Sequence, residues 1–177
     1  MKLNTVEKAL MNNPVRAAIQ RHYEVPLLVR LGGTVPGGHV LEVGCGRGIG
    51  TKLILDRFLA ADVSAFDLDP DMIASARRRL APDIPQRVSL SVGDVTAIDA
   101  PDAAYDAVFD FGIIHHVPDW RSAVREIRRV LKPNGRFYFE EVTRHALQRW
   151  SYRTFLEHPE HDRFSGDEFI AACNEVG

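Results

Sequence analysis

The residues most able to do chemistry in this sequence lie in a glycine-rich stretch, residues 39–52, and among the acids that follow it. The stretch reads HVLEVGCGRGIGTK, and glycine alternates with other residues from Gly44 to Gly50. Glycine permits positive φ angles and lets a ligand approach the bare main chain. A helix that begins after such a turn offers free N–H groups and the positive end of its dipole. The stretch therefore indicates a ligand site between a strand and a helix.

The spacing of these glycines narrows the kind of ligand. A dinucleotide site has the pattern G-x-G-x-x-G or G-x-G-x-x-A. Begun at Gly44 that pattern ends on Ile49, and begun at Gly46 it ends on Thr51. The order that fits is E-x-G-x-G-x-G, which begins at Glu42. An oxidoreductase with an NAD-type cofactor is therefore the alternative, and another nucleoside-type cofactor is the leading prediction.

Acidic side chains recur at or near the carboxyl ends of predicted strands, namely Glu42, Asp67, Asp94 and Asp110. Ligands of open parallel sheets bind at this edge. Asp67 lies 19 positions beyond Gly48, where an acid can accept hydrogen bonds from the hydroxyls of a ribose. Met72, shortly after Asp67, either floors an adenine pocket or packs in the core.

Strands and helices alternate along the chain. Short apolar runs predict strands at 39–43, 62–67, 87–92, 105–111 and 136–142. Capping residues predict helices that begin at Asn13, Asp69, Asp119 and Ser165. This alternation is typical of an α/β fold in which helices cover both faces of a mainly parallel, doubly wound sheet.

The first helix is predicted to have one apolar face, which comprises Val15, Ala18, Ile19 and Tyr23, before Pro26 interrupts it. The last helix is predicted to turn Phe169, Ile170 and Cys173 inward. Aromatic residues from Trp150 to Phe164, together with Tyr23 and its helix, are predicted to form a lid over an apolar acceptor. The alternative is that they only cover the edge of the sheet.

Composition excludes several classes of function. The 177 residues suffice for one domain, and a net charge of −2 gives no footprint for nucleic acid or an anionic membrane. Two cysteines form neither a disulfide framework nor a metal signature, and the histidines at 158 and 161 lack further ligands. With no predicted leader or membrane span, a cytoplasmic protein without a metal is expected.

Several motifs in order resemble the class I S-adenosylmethionine-dependent methyltransferases. They are VLEVGCGRG at 40–48, FDLDPDM at 66–72, VGDV at 92–95, YDAVFDFGIIHHVPDW at 105–120 and EIRRVLKPNGRFYFEE at 126–141. The chain is most similar to the small-molecule branch near the ubiquinone and menaquinone biosynthesis methyltransferases. The implied fold is Rossmann-like with strand order 3-2-1-4-5. The implied cofactor is S-adenosylmethionine, with S-adenosylhomocysteine as product and a small molecule as acceptor.

The resemblance implies roles for the residues of the first motif. Glu42, Gly44 and Gly46 would hold the methionine end of the cofactor, and Cys45 and Gly48 belong to the same turn.

Later motifs would contact the rest of the cofactor. Asp67 would take the ribose hydroxyls, with Leu68 beside the adenine. Asp94 would accept from the adenine amino group, and Val95 would pack near the ring. The remaining pair, Asp110 and Phe111, would lie close to the methionine moiety.

Catalysis by methyl transfer needs no universal side chain, because the cofactor carries the reactive group. An acceptor hydroxyl or acidic carbon would profit from a base. The candidates are His115, His116, Glu140 and Glu141, each of which could instead pack or cap at a strand end. A protein that binds the cofactor without catalysis is a further alternative.

The chain is predicted to be a single methyltransferase domain over residues 1–177. Residues 1–38 would form N-terminal helices and part of a lid, residues 39–142 the cofactor-binding core, and residues 143–177 a lid segment and the last helix. The family's sixth and seventh strands have no counterpart here. Because strand five would then be an unpaired edge, either the sequence is a shortened form or a partner covers that edge, and the partner predicted is a second copy of the chain.

Overall fold

The computed structural model describes residues 13–141 and 164–177. The helices are α1 Pro14–Ile19, α2 Val25–Gly32, α3 Ile49–Leu53, α4 Pro70–Arg79, α5 Trp120–Val130 and α6 Gly166–Val176. The strands are β1 His39–Val43, β2 Asp62–Asp67, β3 Val88–Val92, β4 Tyr105–Phe111 and β5 Leu131–Glu140. Two π-helical turns, Gln20–Glu24 and Ile54–Phe58, continue α1 and α3, and a 3₁₀ turn, Ile114–His116, follows β4.

The five strands form one parallel sheet in the order β3-β2-β1-β4-β5, which confirms the predicted fold class. The carboxyl ends of the strands are aligned. Val43 pairs with Phe66 on one side and with Asp110 on the other, and Asp110 pairs with Phe139. Side chains at the ends of different strands therefore meet at one edge of the sheet.

Helices cover both faces of the sheet, and each face has its own hydrophobic core. On one face Phe58, Phe109 and Tyr138 pack together, and the rings of Phe109 and Tyr138 stack with centroids 4.6 Å apart. On the other face Trp120 lies against Phe164 and Phe169. The sheet is thus held from both sides, as near-continuous apolar strands require.

Two predictions about the end of the chain need correction. Phe164, assigned to a lid, is buried in the core beside Trp120. Ile170 is 51% exposed, because the predicted capping box at Ser165 sets α6 so that Phe169 faces inward. The rest of the predicted lid, including Trp150, lies outside the described residues.

The first helix also differs from its prediction. Pro26 begins a new segment, as expected, but the chain remains helical across it through the π-helical turn. The predicted apolar face points to the surface instead of the core: Val15 is 67% exposed, Ile19 46% and Tyr23 68%. The inward-facing residues of this helix are polar, because the helix lies over the cavity described below.

The junction of α5 and β5 is shorter than predicted. The strand predicted at 136–142 already begins at Leu131, so residues 132–135 belong to β5. The pairing of β5 with β4 has an irregularity at this point. The hydroxyl of Tyr138 on β5 donates to the carbonyl oxygens of Gly32 at 2.8 Å and Gly33 at 3.2 Å. These bonds fix the end of α2 to the sheet.

None of the helices within 13–141 and 164–177 has the length and apolar character needed to cross a bilayer.

Candidate functional site

A cavity of about 400 Å³ opens at the carboxyl edge of the sheet. Of the predicted cofactor residues, those that line it are Glu42, Gly44, Cys45, Gly46, Asp67, Leu68, Met72, Asp94, Val95 and Phe111. His116 lines it too, whereas Gly48, Asp110, His115 and Glu141 do not. The sheet therefore brings most of the predicted site together, as the alignment of the strand ends requires.

The glycine turn forms one wall of the cavity. Gly44 has a φ of +68°, and a Cβ there would lie 2.6 Å from two carbons of Ile113. Gly46 and Gly48 also have positive φ angles. A Cβ on Gly48 would lie 2.7 Å from Leu80, so this glycine serves the packing of the turn on α4 rather than the cavity surface. At Gly44 and Gly48 the main chain has a positive φ and a neighbouring side chain lies where a Cβ would be. Glycine meets both conditions because it has no side chain.

Asp67 at the end of β2 is held by the main chain. Its Oδ2 accepts from the N–H of Gly46 at 2.8 Å, and its Oδ1 accepts from the N–H of Asp69 at 2.9 Å. Asp67 lines the cavity, and carboxylate oxygens accept hydrogen bonds from hydroxyl groups of a ligand. Asp94, at the next strand, is exposed, and its Oδ1 accepts from the N–H of Thr96 at 2.9 Å.

Glu42 lies beneath the turn with only 2% of its surface exposed. The hydroxyl of Thr51 donates to its Oε2, and a Cβ on Gly50 would lie 2.1 Å from its Oε1. Burial raises the pKa of Glu42 to about 8, with the charges of Asp67 and Asp110 adding to the rise and Thr51 opposing it. Burial likewise raises the pKa of the Cys45 thiol. A cation in the cavity would favour the ionised form of Glu42.

The raised pKa of Glu42 makes a prediction about stability. A carboxyl with a higher pKa in the folded state than in the unfolded state stabilises the fold while protonated and loses that contribution as pH rises. In the absence of ligand, the contribution of Glu42 to the free energy of unfolding should be fully present below pH 4.5. It should be lost as the pH rises toward about 8. The free energy of unfolding of Glu42→Gln, relative to the unmodified protein, should therefore increase with pH across this window. Urea unfolding over that pH range measures it.

Glu175→Gln is the matched control, because it makes the same change on an exposed side chain of α6. Its free energy of unfolding should stay parallel to that of the unmodified protein at every pH. Parallel curves for Glu42→Gln would contradict the burial argument.

A buried group of acids and imidazoles lies behind the cavity at the ends of β4 and β5. Glu141 Oε1 accepts from the N–H of Ile114 at 2.6 Å, and Nδ1 of His115 lies 2.6 Å from Glu141 Oε2. Burial, and then the charge and hydrogen bond of Glu141, raise the pKa of Asp110. The rings of His115 and His116 are 4.1 Å apart. His116 is thus the member of this group that lines the cavity, and His115 and Glu141 lie behind it.

Further cavity residues were absent from the prediction. Ile113 belongs to the loop after β4, and the rule that ligands meet carboxyl ends of strands could have found it. Arg16 and Gln20 reach the cavity from the first helix. Their spacing of four placed them on one helix face, but nothing local shows that this face turns toward the sheet.

A parallel 3-2-1-4-5 sheet with a glycine turn after β1 and an acid held at the end of β2 defines a Rossmann-like domain for a nucleoside-type cofactor. Comparison with known proteins identifies the family within this class. The chain belongs to the methyltransferase domain family, whose model matches residues 41–139. The cofactor of this class I family is S-adenosylmethionine, and the NAD-type alternative is set aside.

Individual relatives agree with the family. The chain is 33% identical to malonyl-acyl-carrier-protein O-methyltransferase of Serratia marcescens over 132 residues, 75% of this chain and 49% of that protein. It is 33% identical to phosphoethanolamine N-methyltransferase 2 of Caenorhabditis elegans over 110 residues, 62% of this chain and 25% of that protein. The chain thus spans less than half the length of these curated relatives.

A solved structure shows the same fold. The crystal structure of a SAM dependent methyltransferase from Aquifex aeolicus superposes with a TM-score of 0.76 at 17% identity. The superposition covers 99% of this chain and 89% of that one. At this identity the likeness concerns the arrangement of helices and strands.

Proposed function

We propose that this protein transfers the methyl group of S-adenosylmethionine to a small molecule. The observation that carries the proposal is the meeting of the glycine turn with Asp67 at the wall of a cavity, through the Gly46 hydrogen bond of 2.8 Å. That arrangement supplies a bare main chain for one part of an adenosine-type ligand and an oriented carboxylate for its ribose. It lies within the part of the chain that the family model matches.

The predicted cofactor residues fit S-adenosylmethionine by their chemistry. When bound, the cofactor supplies a methyl group on a positively charged sulfur. The buried carboxyl group of Glu42 lines the cavity, and that of Asp110 lies behind the lining at the end of the adjacent strand, so Glu42 is the acid nearer to where the methionine end is expected. Leu68, Met72 and Val95 offer apolar surface for a base.

For the acceptor we propose a chemical class, a small molecule. The names of relatives include an O-methyltransferase and an N-methyltransferase, so the methylated atom is not assigned. The cavity is also lined by Ile113, Val117 and Phe111, which favours an acceptor with an apolar part.

We propose His116 as the group that accepts a proton from such an acceptor. Its support is its place in the cavity lining together with its contact with His115, whose Nδ1 is fixed by Glu141. Glu141 and His115 would then be positioning residues. Glu140, the other candidate base, instead pairs with Arg16 at 2.8 Å.

The proposal is tested by calorimetric titration with S-adenosylhomocysteine and NADH, followed by incubation of labelled S-adenosylmethionine with cell extract. S-adenosylhomocysteine should bind, NADH should not, and a labelled small product should form. His116→Ala should keep the binding and slow product formation. Binding of NADH alone would overturn the proposal, and tight cofactor binding without any product would favour the non-catalytic alternative.

The predicted homodimer and cytoplasmic location stay predictions. Within the described residues β5 pairs with β4 on one side, and no described strand pairs with its other side. That edge is the surface through which a second copy would add.

A further inference from the structure

The first helix presents its polar side to the cavity and its apolar side to the surface. Arg16 and Gln20 line the cavity, whereas Val15, Ile19 and Tyr23 are exposed. Polar groups that line a cavity are the ones that orient a ligand held there by hydrogen bonds.

Gln20 is the more buried of the two polar residues that this helix brings to the cavity. Only 7% of its surface is exposed, and it is part of the cavity lining. Its side-chain amide carries two N–H donors and a carbonyl acceptor. A ligand held in the cavity is therefore within the reach of this amide.

Arg16, one helical turn earlier, is a cation fixed in place. Its Nη1 donates to Glu24, and its Nη2 donates to Glu140 at 2.8 Å. These bonds use two of the five N–H donors of a guanidinium. The remaining donors are held in a planar fork that suits a carboxylate.

The charges around the cavity also direct a carboxylate to this place. The acidic residues of the lining are Glu42, Asp67, Asp69, Asp94 and Asp119. The basic residues of the lining are Arg16 and Arg47, and Arg47 is exposed. A negative group on a ligand would be repelled by the acids of the lining and attracted to the half-buried guanidinium of Arg16.

We propose that Arg16 and Gln20 bind a carboxylate group of the ligand held in the cavity. The inference rests on the proposed function, because the ligands concerned are the cofactor and its acceptor. The carboxylate has two chemical sources, namely the methionine end of the cofactor or the acceptor itself. Both residues lie outside 41–139, so the family match assigns them no role.

The two glutamates beside Arg16 are compatible with this role. Burial, and then the charge of Glu24, raise the pKa of Glu140, whereas the charge of Arg16 opposes the rise. A raised pKa favours the neutral form of Glu140, which competes less with a ligand carboxylate for the guanidinium. The bond to Glu24 holds the guanidinium independently of Glu140.

The test compares ligands that differ by a carboxylate. Calorimetry gives the dissociation constants of S-adenosylhomocysteine and of 5′-methylthioadenosine, which lacks the amino-acid part. If the cofactor is the source, Arg16→Met should weaken S-adenosylhomocysteine by about 10- to 100-fold and Gln20→Leu by about 3- to 10-fold. Neither change should alter the affinity for 5′-methylthioadenosine. Arg16→Lys, which keeps the charge but loses the fork, should fall in between.

If the acceptor is the source, both nucleosides should bind all variants equally. Octanoate should then bind the S-adenosylhomocysteine complex more tightly than octanol, and Arg16→Met should remove that preference. Arg21→Met is the matched control, because Arg21 is an exposed arginine on the same helical stretch. It should change neither the relative affinities for the two nucleosides nor those for octanoate and octanol.

The two levels of the proposal fail differently. If the unmodified protein binds S-adenosylhomocysteine but Arg16→Met and Gln20→Leu leave both carboxylate preferences intact, the inference is wrong and the proposed function stands. A preference lost in Arg47→Met instead would also overturn it. If the unmodified protein does not bind S-adenosylhomocysteine, both proposals fall.

Discussion

Replacing Asp67 with alanine should weaken the binding of S-adenosylhomocysteine by about 100-fold or more. Hydrogen bonds to a charged group contribute about 1.5–3 kcal/mol each, and a ribose offers two hydroxyls to this carboxylate. The same change leaves the N–H groups of Gly46 and Asp69 without their acceptor, at 2.8 and 2.9 Å. The turn would then lose part of its shape as well. Isothermal titration calorimetry measures the change in affinity.

Asp71→Ala is the control for this variant, because Asp71 is an exposed acid in the first turn of α4. Its affinity for S-adenosylhomocysteine should stay close to that of the unmodified protein. If Asp67→Ala binds as tightly as Asp71→Ala, the carboxylate at the end of β2 does not hold the cofactor.

Gly44→Ala should both destabilise the domain and impair binding. The φ of +68° is unfavourable for alanine, and the new Cβ would lie 2.6 Å from Ile113. Overpacking of this kind costs about 1–3 kcal/mol, in addition to about 1–2 kcal/mol for the main-chain conformation. Because Ile113 lines the cavity, its displacement should also weaken the binding of S-adenosylhomocysteine. Urea unfolding and calorimetry measure the two effects.

Gly37 provides a matched comparison within the same chain. Its φ is +72°, but a Cβ there would meet nothing within 4 Å. Gly37→Ala should therefore show the main-chain cost alone and bind S-adenosylhomocysteine normally. Equal losses of stability in the two variants would mean that the contact with Ile113 is absorbed without cost.

The sheet could be predicted from the sequence because its signals are local. Each strand is a short apolar run, and the caps at Asp69, Asp119 and Ser165 form the hydrogen bonds that their spacing predicts. The strand order was predicted from the resemblance of several motifs to a known family, because no single strand or motif indicates its neighbours in the sheet. Once the order is fixed, the alignment of strand ends brings the acids to one edge.

The parts that the sequence did not predict depend on contacts between distant residues. Arg16 meets Glu140 across 124 positions, and this pairing helps set which side of the first helix faces inward. An apolar stripe on that helix suggests burial, but the cavity beneath it favours the polar side. Gly48 was assigned to the ligand site because its role in packing against Leu80 cannot be read from the glycine pattern.

The way that Asp67 is tethered has a consequence for the energetics of association. Since two main-chain donors already orient this carboxylate in the absence of a ligand, little side-chain freedom is left to be lost when a nucleoside arrives. The turn and the acid constitute a preorganised receptor, whose entropy cost was met during folding. Recognition of the ribose should accordingly proceed without a slow rearrangement of this wall.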